Sequence, residues 1–294
     1  MAERLADIVT QIQNVRQLEA VVTAMRGIAA SRAQKGRLLL AGIEAYTDVT
    51  SLAIGQALSL LPSDVIAPPP RRCAKLGLIL FCAEQGFAGA FSERVLDRAS
   101  NDLGGAANLI IGTRGLAVAS ERGITSVWSM PMATHVDAIA SFANRLAEAL
   151  YNYVASGAVT NVDILFSRSI SGSGIVVDRH SVLPIDFRRF ARPIKNQVPL
   201  KTLSPQLLLE RLAAEYVYAQ LCQALMHAFE AENEARMLTM AAAKTNIESK
   251  LTGLSQRERQ LRQEEITTEI VELAAGAESL TPVRESVRHD RIHV

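Results

Sequence analysis

Between Pro205 and Leu280 no proline interrupts the chain, and the only glycines are Gly253 and Gly276. As one helix these roughly 76 residues would span about 114 Å at ~1.5 Å per residue. Globular helices usually run ~8–20 residues, so an uninterrupted pattern beyond ~25 implies a coiled coil, a membrane span or a repeat. Ser204-Pro205 supplies an N-cap followed by proline at the first helical position, and Pro282 lies just past the far end. The apolar face is uneven. Leu208, Leu212, Val217, Leu221, Leu225 and Phe229 make it strong, and Met237, Met240, Ile247, Leu251 and Leu254 carry it on more thinly. From Ser255 to Glu265 only Leu261 is apolar, and then Ile266, Ile270, Leu273, Ala277 and Leu280 restore a seam. A stretch as polar as 255–265 is not core; it spans solvent or faces a partner.

The other end of the chain has matching character. From about Glu3 to Leu60, Leu5, Ile8, Ile12, Val15, Val22 and Ala29 recur at spacings of three, four or seven, a narrow coiled-coil seam. Glu19 and Arg26 fall where that seam expects apolar residues. Gly27, Gly36, Gly42 and Gly55 cost helix propensity and permit close helix approach. Pro62 and Pro68-Pro69-Pro70 end the element in a stiff linker.

Between these ends the period changes. LGLILFC (76–82) is a short apolar run suited to a buried parallel strand. GFAGAF reads as a turn, SERVLDRASN as a helix, NLIIG as a strand, RGLAVASERG as a helix and SVWSM as a weak strand. DAIASFANRLAEALYNYVASG is a strong amphipathic helix. VDILFSRS and GIVVDRHSVLP are strands joined by the hairpin-like SISGSG. Strands alternating with helices imply an α/β domain with a parallel sheet and at least one antiparallel edge. The expected organisation is an N-terminal coiled-coil helix over 1–62, a Rossmann-like α/β domain over 73–186, and a C-terminal coiled-coil helix over 204–281 that pairs antiparallel with the first.

Apolar residues make up 49% of the chain, so a packed core is affordable. The formal net charge of +1 provides no global field toward nucleic acid or anionic lipid. Cys73, Cys82 and Cys222 have no CxxC spacing and read neither as a disulfide framework nor as a zinc site, which suits a reducing compartment. The N-terminus lacks the apolar region of a signal peptide. LGLILFCA, read as the densest apolar run, is far short of the ~20 residues of a spanning helix, so the chain is expected to be soluble or peripherally bound.

No constellation reads as catalytic. GFAGAF lacks both GxGxxG and GxxxxGK[ST], which favours a structural turn in which Gly86 and Gly89 permit close backbone approach over a phosphate cradle. His135, His180, His227, His289 and His293 are scattered and read as exposed, although His289 and His293 have helical metal-ligand spacing. Glu264, Glu265, Glu269 and Glu272 lie one turn beyond Arg257, Arg259 and Arg262, which favours i,i+4 ion pairing over acid–base work. Arg188, Arg189, Arg192 and Lys195 with Phe187 and Phe190 form a basic patch too short for nucleic acid. The residues thus leave three readings: a coiled-coil rod carrying an α/β domain, a Rossmann-like nucleotide-binding enzyme with coiled-coil dimerisation arms, and a coiled-coil adaptor.

Three blocks resemble the gamma subunit of F-type ATP synthases. VVTAMRGIAASRAQKGR (21–37) is similar to the family's small-residue block around a Met-basic pair, here Met25 and Arg26. AEQGFAGAF (83–91) is similar to a block usually read as SDRGLCGGF; Gly86, Gly89 and Phe91 match, whereas Glu84 and Gln85 depart. The third runs from EYVYAQLCQALMHAFEAENEARMLTMAAAKTN to RQEEITTEIVELAAGAESL. There Arg236, Met237, Met240, Ala243, Arg262, Gln263, Ile266, Thr267, Glu269, Ile270, Gly276 and Ala277 sit where the family places similar residues.

The resemblance implies a rotor shaft without a catalytic site, cofactor or metal of its own. Its coiled coil would insert into the ring of three alpha and three beta subunits. Its α/β domain, with an epsilon subunit, would sit on the membrane c-ring at the cytoplasmic face of the bacterial inner membrane, without inserting in the membrane. Met25 and Arg26 would face the catalytic subunits' lever region. Arg262, Gln263, Thr267, Thr268 and Glu269 would fall in the zone of polar catch contacts with the ring. Glu258, Arg259 and Thr268 depart from the family's usual residues, as in a divergent, alternate bacterial F-type ATPase that moves sodium or protons.

Overall fold

The structure, a computed structural model, describes residues 2–61, 75–170, 172, 174–190 and 202–279. The expected proline linker, Cys73, Arg192, Lys195, Leu280, Pro282, His289 and His293 lie outside these. Two helices dominate: α1, Ala2–Ser59, and α5, Pro205–Ser279. By contact the described residues group into two bodies, 24–241, and 2–23 with 242–279.

The first body holds the sheet. Its strands are β1 Leu76–Phe81, β2 Ala107–Ile111, β3 Trp128–Met130, β4 Asn161–Ile170 and β5 Gly174–Leu183, in the order β3-β2-β1-β4-β5. Pairings among β1–β4 are parallel, and β5 returns antiparallel along β4 as the hairpin at SISGSG. Alternate strand residues point to opposite faces. Ile79, Phe81, Leu109, Ile111, Ile164 and Phe166 pack under α4, Ile139–Ala155, and α5. Leu78, Leu80, Ile110 and Leu165 pack under α2, Phe91–Ala99, and α3, Thr113–Glu121. Helices on both faces explain why these strands read as continuous apolar runs rather than alternating ones. Gly115 brings α3 close to β1: a Cβ there would lie 2.0 Å from the Cβ of Cys82.

Within this body α1 and α5 run antiparallel. Arg37 bonds Glu230 at 2.7 Å and Glu234 at 3.0 Å, and Tyr46 bonds Glu215. The seam of α1 follows a strict heptad. Ala29, Gly36, Ile43, Thr50 and Ala57 of this body, and Ile8, Val15 and Val22 of the other, fall seven apart and are each buried or half-buried. Thr47 and Thr50 satisfy their hydroxyls on the carbonyls of Ile43 and Tyr46, so polar residues sit in the seam without an orphaned group. Glu19 is half-buried as the pattern requires, whereas Arg26 is exposed and Met25 takes the half-buried place.

In the second body the heptad on α5 is Ile247, Leu254, Leu261 and Thr268, with Leu251, Glu258 and Glu265 in the companion row; each is buried or half-buried. This corrects the reading that Ile266, Ile270 and Leu273 restore the seam. Ile266 (50% exposed) and Leu273 (74%) lie one position past the companion row and its continuation, and Ile270 (60%) lies two past Thr268. A step of one residue is ~100° around a helix, enough to turn an apolar stripe outward.

One finding departs from the composition reading. By length and apolarity alone, α1 meets the measure of a membrane-crossing helix, with a mean hydropathy of 1.2 in its most apolar window. LGLILFCA is denser but shorter, and alanine supplies part of the apolar content of α1. Mostly buried core helices and N-terminal signal sequences meet the same measure, and 17% of this window is buried.

Candidate functional site

In a doubly wound sheet, ligands bind beyond the carboxyl ends of the strands where the strand order reverses. Here that place lies between β1 and β4, next to the turn 82–90. It is filled by α5. The Glu232 carboxylate accepts from the backbone N–H groups of Glu84 and Gln85, both at 3.2 Å. Arg236 pairs with Glu232 and donates to the carbonyls of Gln85 (3.3 Å) and Gly86 (3.2 Å) and to the Asn233 side chain (3.2 Å). Glu232, Asn233 and Arg236 are all buried. A buried carboxylate and guanidinium that saturate each other and a turn's backbone satisfy the conditions under which charge is tolerated inside a protein.

The same turn is tied from its other side. The Glu84 carboxylate accepts from Thr113 N–H (3.0 Å), Thr113 Oγ1 (2.9 Å) and Met132 N–H (2.7 Å). It thereby caps α3, whose own N-cap residue, Gly112, has no side chain to do so. Glu84 departs from the block SDRGLCGGF, and the structure gives it this purpose. Only one of the two glycines is required by conformation. Gly89 has φ +61°, whereas Gly86 contributes its carbonyl, and the strained residue is Phe87, at φ +62° and exposed. The crevice that a Rossmann-like enzyme would use is therefore taken by the chain's own helix.

The residues expected to touch a ring divide between the two bodies. Met25 and Arg26 belong to the first, half-buried and exposed respectively. Arg262, Gln263, Thr267, Thr268 and Glu269 belong to the second. Of these, Arg262, Gln263, Thr267 and Glu269 are exposed, while Thr268 sits on the heptad row behind them. Their polar bonds close along α5. Arg262 donates to Glu258 at 2.8 Å, Thr267 Oγ1 to the Gln263 carbonyl at 2.8 Å and Thr268 Oγ1 to the Glu264 carbonyl at 2.8 Å. Arg262 thus pairs backward with Glu258 rather than forward with Glu265 or Glu269. Gln260, Gln263, Glu264, Thr267 and Thr268 line a shallow open groove of about 770 Å³.

Two features escaped the sequence reading. The outward stripe Ile266, Ile270, Val271 and Leu273 was legible as apolar spacing but not as exposed, because its face depends on where the seam lies. The scatter of the histidines predicts an exposed His227, yet it is buried, with its ring stacked on Phe166 (centroids 5.6 Å apart, planes at 16°). Its position three residues before Glu230, within the most apolar part of α5, was the available signal. Cys82 and Cys222 are buried free thiols; burial raises both, Cys82 to about 12, so neither is poised as a thiolate.

The family profile described as ATP synthase matches residues 4–280. An ATP synthase gamma chain of Streptomyces griseus is 28% identical to this chain, covering 92% of it and 94% of the relative. One of Parafrankia is 26% identical, covering 95% and 99%. Among solved structures, a chain of the Euglena gracilis mitochondrial ATP synthase in rotational state 3 superposes with a TM-score of 0.65 at 10% identity, over 98% of this chain and all of that one. A chain of the rotor of the same enzyme in rotational state 1 gives 0.62 at 12% identity, over 90% of this chain. At these identities the structural likeness speaks for the fold.

Proposed function

Because the chain belongs to the ATP synthase family, we propose that it is the gamma-type central-stalk rotor subunit of a membrane-bound F-type ATPase or ATP synthase. It couples ion flow through a membrane sector to rotary catalysis in a ring of three alpha and three beta subunits. An epsilon subunit and the membrane c-ring hold its α/β domain, and it stays at the cytoplasmic face of the bacterial inner membrane through that complex. ATP chemistry belongs to the ring. The departures at Glu258, Arg259 and Thr268 from the family's usual residues support a divergent bacterial branch as the origin of that complex.

The observation that carries this reading is the two-sided character of α5 beyond Ala242. A heptad row through Ile247, Leu254, Leu261 and Thr268 is sheltered, while Arg262, Gln263, Thr267 and Glu269 are presented outward on an unbroken helix. A shaft that turns against a ring needs this combination. Apolar burial at ~25 cal/mol per Å² on every sliding face would hold one angular position too tightly, whereas exposed polar contacts are worth only ~0–1 kcal/mol each and exchange readily with water. The exposed Ile266, Ile270 and Leu273 suit a tip seated in an apolar bearing. Met25 and Arg26, and the outward four on α5, are the proposed ring contacts, with Thr268 supporting them from behind.

The test is purification of the chain from its native membranes together with the double variant Arg262→Ala, Gln263→Ala. The wild-type chain should co-purify with alpha and beta subunits and show no ATPase activity when isolated. The double variant should assemble to wild-type levels yet lower the ATP hydrolysis of the complex by about tenfold, equivalent to ~1.4 kcal/mol of barrier. Recovery as a monomer with no ring subunits, or unchanged hydrolysis in an assembled variant, would sink the reading.

A further inference from the structure

The contact between α5 and the antiparallel edge of the sheet is built around a histidine. His227 is 6% exposed and its Nδ1 is buried without a hydrogen-bond partner. One face of its ring lies on Phe166 of β4, and His180 of β5 meets the same phenyl ring edge-on at 5.2 Å. The charged and titratable groups facing it from the sheet are Arg168 of β4 and Asp178 and His180 of β5. Asp178 is already bonded to Arg168, at 2.8 Å. On α5 itself the nearby carboxylate, Glu230, is engaged by Arg37 from α1. A proton arriving on His227 therefore meets a cation and a second imidazole, and the carboxylates in reach are occupied. An imidazolium whose Nδ1 is buried without a partner is disfavoured by loss of hydration as well as by those neighbours.

We propose that His227 is an acid-sensitive latch: neutral, it seats α5 on β4 and β5, and its protonation unseats them. The latch stands whether or not the rotor reading does, since it rests on the packing of the first body alone. Burial first, then Arg168, pulls the His227 pKa from 6.5 down to about 4. A depressed folded-state value means the contribution is fully present above pH ~6.5 and is lost as pH falls through the folded value. By linkage, the ratio of seated to unseated chain falls about twentyfold between neutral pH and pH 5.

Amide exchange on the full chain, corrected for the intrinsic pH dependence, tests this. Peptides covering β4, β5 and residues 216–231 should lose about twentyfold in protection at pH 5 relative to pH 7. His227→Phe keeps a ring against Phe166 and should abolish that loss, and His180→Gln, at an exposed position, should retain most of it. An equal loss in His227→Phe overturns the latch. Should that variant not fold, His227→Gln replaces it. Independently, the His227 ring followed by NMR in the wild-type chain should titrate below pH 5; titration near 6.5 in the folded chain also overturns it.

Discussion

Helix α5 carries the same short motif twice, a glutamate followed four residues later by an arginine, and the two copies behave differently. In Glu232–Arg236 the side chains are 5% and 7% exposed, and in Glu258–Arg262 they are 26% and 61% exposed. The first pair holds the turn after β1 through four further hydrogen bonds to its backbone. The second bonds only along its own helix. Spacing alone makes both i,i+4 ion pairs. What differs is what the helix is packed against. From Val217 to Arg236 nearly every residue is buried or half-buried, whereas beyond Ala242 a single heptad stripe is sheltered. The comparison separates a base whose polar groups are structural from a shaft whose polar groups remain available.

The largest effect should come from breaking the buried copy. Arg236→Ala leaves the Glu232 carboxylate in a dry site with its cation removed and releases the carbonyls of Gln85 and Gly86. Breaking one side of a buried pair typically costs about 3–5 kcal/mol. Urea unfolding of the full chain measures it. A loss below about 1 kcal/mol would mean that water reaches the crevice and that the base is no drier than the shaft.

A second contrast uses glycines. A Cβ on Gly36 would lie 3.3 Å from the Glu230 Cβ and 3.4 Å from the Phe229 ring, while one on Gly253 meets nothing within 4 Å. Gly36→Leu should therefore cost about 1–3 kcal/mol or more by overpacking the α1–α5 contact. Gly253→Ala should stabilise by about 0.5–1 kcal/mol through helix propensity. Thermal unfolding of the two variants should move in opposite directions; shifts of the same sign would erase the distinction between the close-packed and open parts of the rod.

Much of this contrast was legible beforehand and some was not. The heptad of α1, the strand–helix alternation and the antiparallel edge follow from apolar spacing and glycine placement, which act locally. The grading of α5, rich at Leu208–Phe229 and polar at 255–265, was also visible. Hidden were matters of azimuth and of long-range contact. Nothing near Ile266 says that its stripe faces away from Leu261, because a one-residue offset is decided by the partner helix. Nothing near Glu84 says that it caps α3 from 29 residues away. For the same reason Arg236, matched to a family position by resemblance, could not be seen as the plug of the sheet's crevice.

Glu230 sharpens the comparison through pH. It is 3% exposed, and burial raises its carboxyl pKa despite the hydrogen bond and charge of Arg37. A raised folded-state value means its stabilising contribution is complete below the ordinary glutamate range and is lost as pH rises through the folded value. Relative to Glu230→Gln, the wild-type chain should lose stability on going from pH 4 to pH 7. This trend opposes that of His227, so the two separate in a pH series of denaturant midpoints. Parallel curves for wild type and Glu230→Gln would show that Arg37 compensates the burial fully.

The smallest effect belongs to the exposed copy of the motif. Arg262→Ala removes an ion pair whose arginine is largely in water, and exposed pairs are worth at most about 0.5 kcal/mol on a helix. Alanine also has the better helix propensity, by a few tenths of a kcal/mol, which offsets part of that loss. The isolated chain should therefore unfold within about 0.5 kcal/mol of wild type, and added salt should narrow the gap, since screening acts on exposed pairs. The informative result is the pairing of this near-silence in stability with a loss of hydrolysis in the assembled complex. A residue that matters to the assembly but not to the fold is what an outward face on a shaft requires. Were Arg262→Ala to destabilise the chain as Arg236→Ala does, the outer stretch of α5 would be a second structural base.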